Sequence, residues 1–145
     1  EITDFAPRFM HHGRMFRPAQ LVRRVRTLTG HPRIRIAVQP AGGWDVRANT
    51  VTRGSNHLRF LLPGPALRLT TDAPLTYVAD RTWFSLHTPI SLLLGPDETL
   101  DGGIEETARW FEAAIAMSAV RSLWCWPGQS PTQSDPGSDS SPRRL

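Results

Sequence analysis

Turn signals recur so often along this chain that few segments between them are long enough for a helix. Gly30-His31-Pro32, Pro40 to Gly43, Arg53-Gly54-Ser55-Asn56, Pro63-Gly64-Pro65, Asp72-Ala73-Pro74, Asp80-Arg81 and Thr88-Pro89 each combine residues that favour chain reversal. Segments of about six residues lie between them, eight to twelve residues apart, the spacing of an antiparallel sandwich or barrel. Ile2 to Ala6 reads as a strand closed by Pro7, and residues 8–19 as a loop. Arg33-Ile34-Arg35-Ile36-Ala37-Val38-Gln39 alternates cleanly, placing Ile34, Ile36 and Val38 on one face. Further strands are expected at His57 to Leu62, Leu67 to Thr71, Leu75 to Ala79, Thr82 to His87 and Ile90 to Leu94, with Trp44 to Thr52 also extended. Leu58, Leu67, Leu69, Leu75, Val78, Leu86, Leu92 and Leu94 are the candidates for the buried face.

Residues 21–28 can be read two ways. Leu21, Val22, Val25 and Leu28 fall at helical spacing with Arg23, Arg24 and Arg26 opposite. The clean strand after Gly30 needs a neighbour, however, and residues 21–28 are the nearest candidate, so a hairpin of 21–28 with 33–39 is the favoured reading. The pattern changes at Gly95-Pro96. Asp97 or Asp101 can cap a helix whose first turn holds Glu105 and Glu106, where the helix dipole favours negative charge. Ile104, Ala108, Phe111 and Ile115 then repeat at helical spacing, and the predicted helix runs to about Arg121. The organisation expected is a β-sandwich over 1–100, a linker helix within 101–126, and a tail over 127–145. That tail is too poor in apolar residues to repay its ordering entropy, so disorder is expected there.

Charge and cysteine content exclude several classes. The 17 basic residues, all arginine, exceed 13 acidic ones by only four. That is a weak excess for a nucleic-acid-binding domain of this size, and no RNA-recognition signature is present. Arg23, Arg24, Arg26, Arg33 and Arg35 could form a basic stripe across a hairpin, with Trp44 or Phe60 to stack a base, but nucleic-acid binding is the disfavoured reading. The single Cys125 excludes an internal disulfide and a cysteine-based zinc site. No apolar run approaches the length of a membrane span. No export signal opens the chain, so the cytoplasm is the expected compartment.

Catalytic chemistry is hard to place. His11-His12 would point to opposite sides of a strand and suit one metal poorly. Ser55 lacks the flanking glycines of a nucleophile elbow, and Gly42-Gly43 opens no phosphate-binding helix. Most carboxylates fall at turns, caps or in the tail, and only Asp4, inside a strand, is unusually placed. No catalytic residue, metal ligand or cofactor site is expected within the chain. Trp44, Tyr77 and Trp83 are the candidates for stacking on sugar rings.

Several segments, in order, resemble one family. They are Glu1-Ile2-Thr3-Asp4-Phe5-Ala6-Pro7-Arg8-Phe9; Gly13-Arg14 and Phe16-Arg17-Pro18 leading to Leu21-Val22-Arg23-Arg24; Gly30-His31-Pro32-Arg33-Ile34-Arg35; Arg53-Gly54-Ser55-Asn56-His57-Leu58-Arg59-Phe60; Leu67-Arg68-Leu69-Thr70-Thr71-Asp72-Ala73-Pro74-Leu75; and Leu94-Gly95-Pro96-Asp97-Glu98 with Glu105-Glu106-Thr107. Together, over about residues 1–112, they resemble the amino-terminal, trehalase-like domain of bacterial family 15 glycoside hydrolases, the glucoamylase and trehalase group. The resemblance implies a large antiparallel β-sandwich, a linker helix, and an α/α barrel that hydrolyses α-glucosidic bonds with inversion, using two glutamates of its own. Starch-type oligosaccharides and trehalose are the substrates it implies. It also favours the strand reading of 21–28.

The departures from the family pattern carry expectations too. The family's opening segment, rich in Asp, Trp and Pro, is missing before Glu1, and the barrel is missing altogether. Neither catalytic glutamate can therefore be carried over. The chain reads as a truncated, non-catalytic portion whose partner is the barrel and whose ligand, if any, is α-glucan or trehalose. After Glu112 the family pattern stops abruptly. A shifted reading frame, a degraded gene or a deliberately short domain would each produce that. A stand-alone carbohydrate-binding module is the alternative function.

Overall fold

The computed structural model describes the backbone of residues 1–42 and 50–124, and side chains as far as residue 117. Ten strands and two helices follow one another as β1 (Ile2–Phe5), β2 (Phe9–His11), β3 (Arg14–Phe16), β4 (Leu21–Val25), β5 (Arg33–Ile34), β6 (Thr50–Arg53), β7 (His57–Leu61), β8 (Leu67–Thr71), α1 (Leu75–Ala79), β9 (Phe84–Ser85), β10 (Ile90–Pro96) and α2 (Ile104–Trp124). The chain is mainly β. Its centre is a six-stranded antiparallel sheet in the order β1-β4-β10-β8-β7-β6, with β2–β3 and β5–β9 as separate two-stranded ribbons.

The sheet is covered on both faces, giving a sandwich-like arrangement. Register assigns the faces. Leu92, opposite Thr71, and Leu94, opposite Leu69, share a face with Val25, Leu58 and Phe60. That face is covered by Ile34, Ile36 and Val38, by Phe84 and Leu86, and by Val78 of α1. Leu93 faces the other way beside Val22, against Phe9, Ala108 and Phe111, so α2 and the β2–β3 ribbon cover the second face. Strand β10 is buried on both faces from Ile90 to Leu93, which is why Leu92, Leu93 and Leu94 follow one another instead of alternating with polar residues. At its end Gly95 allows close approach of the chain: a Cβ there would lie 3.1 Å from the Ala19 carbonyl oxygen and 2.7 Å from Gln20 Cγ.

The predicted strands at 2–6, 57–62, 67–71 and 90–94 are present, and residues 21–25 are a strand. The helix after Gly95-Pro96 is present too, running three residues beyond the predicted end. Four details differ. Strand β4 does not pair with residues 33–39; it lies between β1 and β10, and β5 pairs with β9 instead. The inward alternation of Ile34, Ile36 and Val38 is correct, because these side chains pack on the sheet face rather than beside β4. Residues 8–19 are no plain loop but hold the β2–β3 ribbon, reversed by His12 and Gly13 at φ of 47° and 75°. Positive φ at two successive positions matches the twist of a tight hairpin, and His is one of the residues that tolerates it. Residues 75–79 are a helix, not a strand. Leu75, Val78 and Ala79 sit at i, i+3 and i+4 and pack on the core after Pro74. Residues 82–87 carry only the two-residue strand β9. The extended segment predicted from Trp44 extends in part beyond the described residues, and the tail 127–145 lies outside them. No helix among the described residues is long and apolar enough to cross a membrane.

Polar groups fasten the centre of the sheet. The Thr71 hydroxyl donates to the Ser91 carbonyl at 2.8 Å, and the Ser91 N–H donates to Asp72 Oδ1 at 2.7 Å. Ser91 is buried, so its N–H needs that acceptor. Burial of the Asp72 carboxylate end pushes its pKa up, although the Ser91 bond opposes the shift. Asp97 behaves oppositely. It accepts from Arg59 at 2.6 Å and lies 3.7 Å from Arg68, and these guanidiniums hold it below the usual carboxylate range.

Three outcomes are expected. Leu69→Ala, at a core position 2% exposed, should cost about 2–5 kcal/mol in chemical denaturation. Asp72→Asn keeps the acceptor and removes the cost of a charge near the core, so it should match or exceed the parent in stability at pH 7. Asp72→Ala should lose about 1 kcal/mol. Asp97's lowered pKa gives stability that is present above the ordinary carboxylate pKa and lost as pH falls through the depressed value. Acid titration followed by circular dichroism should therefore show Asp97→Asn with a shallower loss of stability below about pH 4 than the parent.

Candidate functional site

The β5–β9 ribbon brings together the residues best suited to bind a ligand. Arg33 stands opposite Ser85 and Ile34 opposite Phe84, and the Leu86 N–H donates to the Pro32 carbonyl at 2.9 Å. Cross-strand partners point to the same face. Ile34, Phe84 and Leu86 are the inward set, so Arg33 and Ser85 belong to the outward one. The same register carried one step each way sets Arg35 beside Trp83 and His31 beside His87. Both contacts are present: the Arg35 guanidinium lies 5.4 Å from the Trp83 ring centre, and the two imidazoles are 6.2 Å apart.

Helix α1 supplies the neighbouring wall. Its inward residues pin it to the core, and the turn of helix they define leaves Tyr77 half-exposed. The Tyr77 ring stacks on Phe84 with centres 5.8 Å apart and planes 25° from parallel. Trp83, just beyond the left-handed Arg81 that ends the helix, keeps 56% of its surface exposed. Arg33, Tyr77, Trp83, Ser85 and His87 line one open cleft of about 520 Å³. Of the three sugar-stacking candidates, then, Tyr77 and Trp83 share a cleft; Trp44 lies outside the described residues. The cleft offers two aromatic rings, a hydroxyl, an imidazole and a guanidinium, the combination that stacks on an apolar ring face and hydrogen-bonds its rim. Ser85 and His87 are not singled out as contacts in the sequence, and Arg33 enters there only as part of the basic stripe. The two-residue steps from Trp83 to Ser85 to His87, which set all three on one face of an extended segment, were the available signal.

A second cleft, of about 350 Å³, lies between the sheet and the segment around Ile36 and Val38. Aliphatic side chains line most of it. Of its polar residues, Arg23 is bound to Asp4, Arg35 lies against Trp83, and the Gln39 amide, correctly oriented, accepts from Arg81. It has no convergent polar set to orient a ligand.

The predicted basic stripe is taken apart by pairing. Asp4 stands directly across from Arg23 and accepts from it at 2.6 Å through each carboxylate oxygen. That bidentate bond lowers the Asp4 pKa, which accounts for a carboxylate inside a strand. Arg24 pairs with Glu112 of α2 and Arg26 with Glu1. Of the five arginines of that stripe, only Arg33 and Arg35 lack a carboxylate partner among the described residues. Elsewhere Arg53 holds Asp80, Arg59 and Arg68 hold Asp97, and Arg109 lies near Glu105. His57 is lowered by burial and by Arg68, whose guanidinium lies 2.9 Å from its Nδ1. His11 and His12 touch at a ring separation of 4.1 Å, and among the described residues no three His, Cys, Asp or Glu side chains gather as a metal site.

No protein-family model, no curated protein and no solved structure matches the chain. The half-exposed rings of the cleft lie outside the core, and that has a measurable consequence. Trp83→Ala and Tyr77→Ala should each shift stability by no more than about 1 kcal/mol. Phe84→Ala, 7% exposed behind them, should cost about 3–5 kcal/mol. Thermal melts of the three variants distinguish ligand-facing from core-facing aromatics.

Proposed function

We propose that the chain is a non-catalytic β-sandwich module of a carbohydrate-active protein, of the kind found at the amino terminus of family 15 glycoside hydrolases, acting in the cytoplasm. Its parent activity is hydrolysis of α-glucosidic bonds with inversion, and an α/α barrel is the partner that supplies acid and base. The observation that carries this reading is the disposition of the carboxylates. Inverting hydrolysis needs two of them about 6.5–9.5 Å apart across a substrate and a water. Here Glu1, Asp4, Asp80, Asp97 and Glu112 are each bound to an arginine, and Asp72 accepts from a main-chain N–H. Glu98, Asp101 and Glu106 pair with no arginine among the described residues, but they stand at and just before the start of α2 and line none of the clefts described above. A carboxylate held by a guanidinium is acceptor-only and acidic, the opposite of a proton donor at neutral pH. The sandwich-like sheet with a helix behind it is also the architecture this reading requires.

The Trp83–Tyr77 cleft favours a second role within the same reading, contact with glucan. An indole that keeps over half its surface free, beside a phenol and hydrogen-bonding groups, is suited to a pyranose ring.

Two assays test the proposal. Purified chain should release no glucose from maltose, isomaltose or trehalose. Affinity electrophoresis in amylose or dextran should retard the parent chain and leave Trp83→Ala unretarded. Glucose release by clean protein would overturn the non-catalytic reading, and equal mobility of the two proteins would remove the cleft from carbohydrate contact.

A further inference from the structure

We infer that the cleft on the β5–β9 ribbon selects a saccharide bearing an anionic group, a sugar phosphate or a uronic acid, over a neutral sugar. The inference rests on the reading of the Trp83–Tyr77 cleft as a carbohydrate site and adds the charge of the ligand. Register puts three pairs in a row on the outward face: Arg35 with Trp83, Arg33 with Ser85, His31 with His87. The row therefore holds two guanidiniums, two imidazoles, a hydroxyl and an indole, and no carboxylate.

Pairing separates Arg33 from most arginines of the main sheet; Arg8, Arg14 and Arg17 likewise make no ion pair among the described residues, but only Arg33 lines this cleft. Arg23, Arg24, Arg26, Arg53, Arg59 and Arg68 each reach an acid. Arg33 is exposed and makes no ion pair among the described residues, and Arg35 lies against a ring instead of an acid. A guanidinium left without its own carboxylate, next to a hydroxyl and in a cleft with an open indole, is disposed to take an anion from a ligand. Spacing agrees. Successive same-face residues on a strand are about 7 Å apart. A pyranose stacked on Trp83 would thus bring a charged group on its exocyclic carbon to Arg33 and Ser85, with His87 one step further. Such a charge-assisted contact distinguishes anionic from neutral sugars by about tenfold.

Calorimetric titration of the chain at about 0.15 M salt, where loose surface attraction is screened, tests this. Probes are glucose 6-phosphate, glucuronate, glucose, maltose, inorganic phosphate and adenosine monophosphate. At least one anionic sugar should bind about tenfold tighter than glucose and than inorganic phosphate. Comparison of the phosphate with the uronate identifies which anion the site prefers. Arg33→Gln should abolish the preference while leaving the weak binding of neutral sugar, and Trp83→Ala should abolish both. The Arg33 side chain is exposed and its ladder bonds are main-chain, so Arg33→Gln keeps the ribbon, as a matched thermal melt would confirm. Maltose binding as tight as either anionic sugar would overturn the inference and leave the carbohydrate reading standing. Failure of every sugar to bind would overturn both. Inorganic phosphate or the nucleotide binding as tightly as the anionic sugars would also overturn it, reducing the site to an anion or nucleotide surface.

Discussion

Everything in this molecule depends on strand β10 being accepted on both faces and both edges at once. Ile90 and Leu92 close one layer of the core, and Leu93 opens the other. Its backbone joins β4 on one side and β8 on the other. Without β10 the sheet would fall into the two-stranded β1–β4, too small to stand alone, and the three-stranded β8–β7–β6. The bonds from Thr71 and to Asp72 hold its register from the flank, where a one-residue slip would send Leu92 to the wrong layer. The cleft on the β5–β9 ribbon rests on the same strand. Phe84 and Leu86 pack in the layer that Ile90 and Leu92 close, and they carry Trp83 and Ser85 on their outer side.

Arginine chemistry divides the surface in two. With no lysine in the chain, every basic side chain carries a planar, permanently charged fork. Among the described residues seven of these seventeen forks reach carboxylates, often between elements distant in sequence, as Arg24 does with Glu112 of the helix and Arg59 with Asp97 after β10. Exposed pairs of this kind add little stability. Their effect is to cancel field locally, and the β5–β9 ribbon is one place where an arginine without a carboxylate partner stands beside exposed aromatic rings.

Much of the fold was legible in the sequence because sheet strands announce themselves by alternation and are bounded by Gly and Pro. Leu58, Leu69 and Leu92 were readable as core for that reason, and they are buried. Pairing partners were not legible. Residues 33–39 do alternate, but alternation states only which side is apolar. It does not say whether a strand joins a sheet at its edge or lies across its face. Residues 75–79 are too short for a period to separate helix from strand. The His12-Gly13 turn lacks the Asn or Asp that usually marks such a reversal. At the cleft, Tyr77 and Trp83 were visible as aromatics between turns. Arg33 was not visible as their neighbour, since only the pairing of two distant segments places it beside Ser85 and Trp83.

The order of strands in space has a kinetic meaning as well. Strand β4 belongs to the first sixth of the chain and its partner β10 to the last half, so the sheet cannot close until Pro96 has been synthesised. Until then β4 is paired with β1 on one side only, and Val22 and Val25 lack the cover that β10 gives them. Non-local pairing of this kind slows folding and exposes sticky edges on the way. The nascent chain therefore faces its greatest hazard on the ribosome, in the interval before the ninetieth residue clears the exit tunnel.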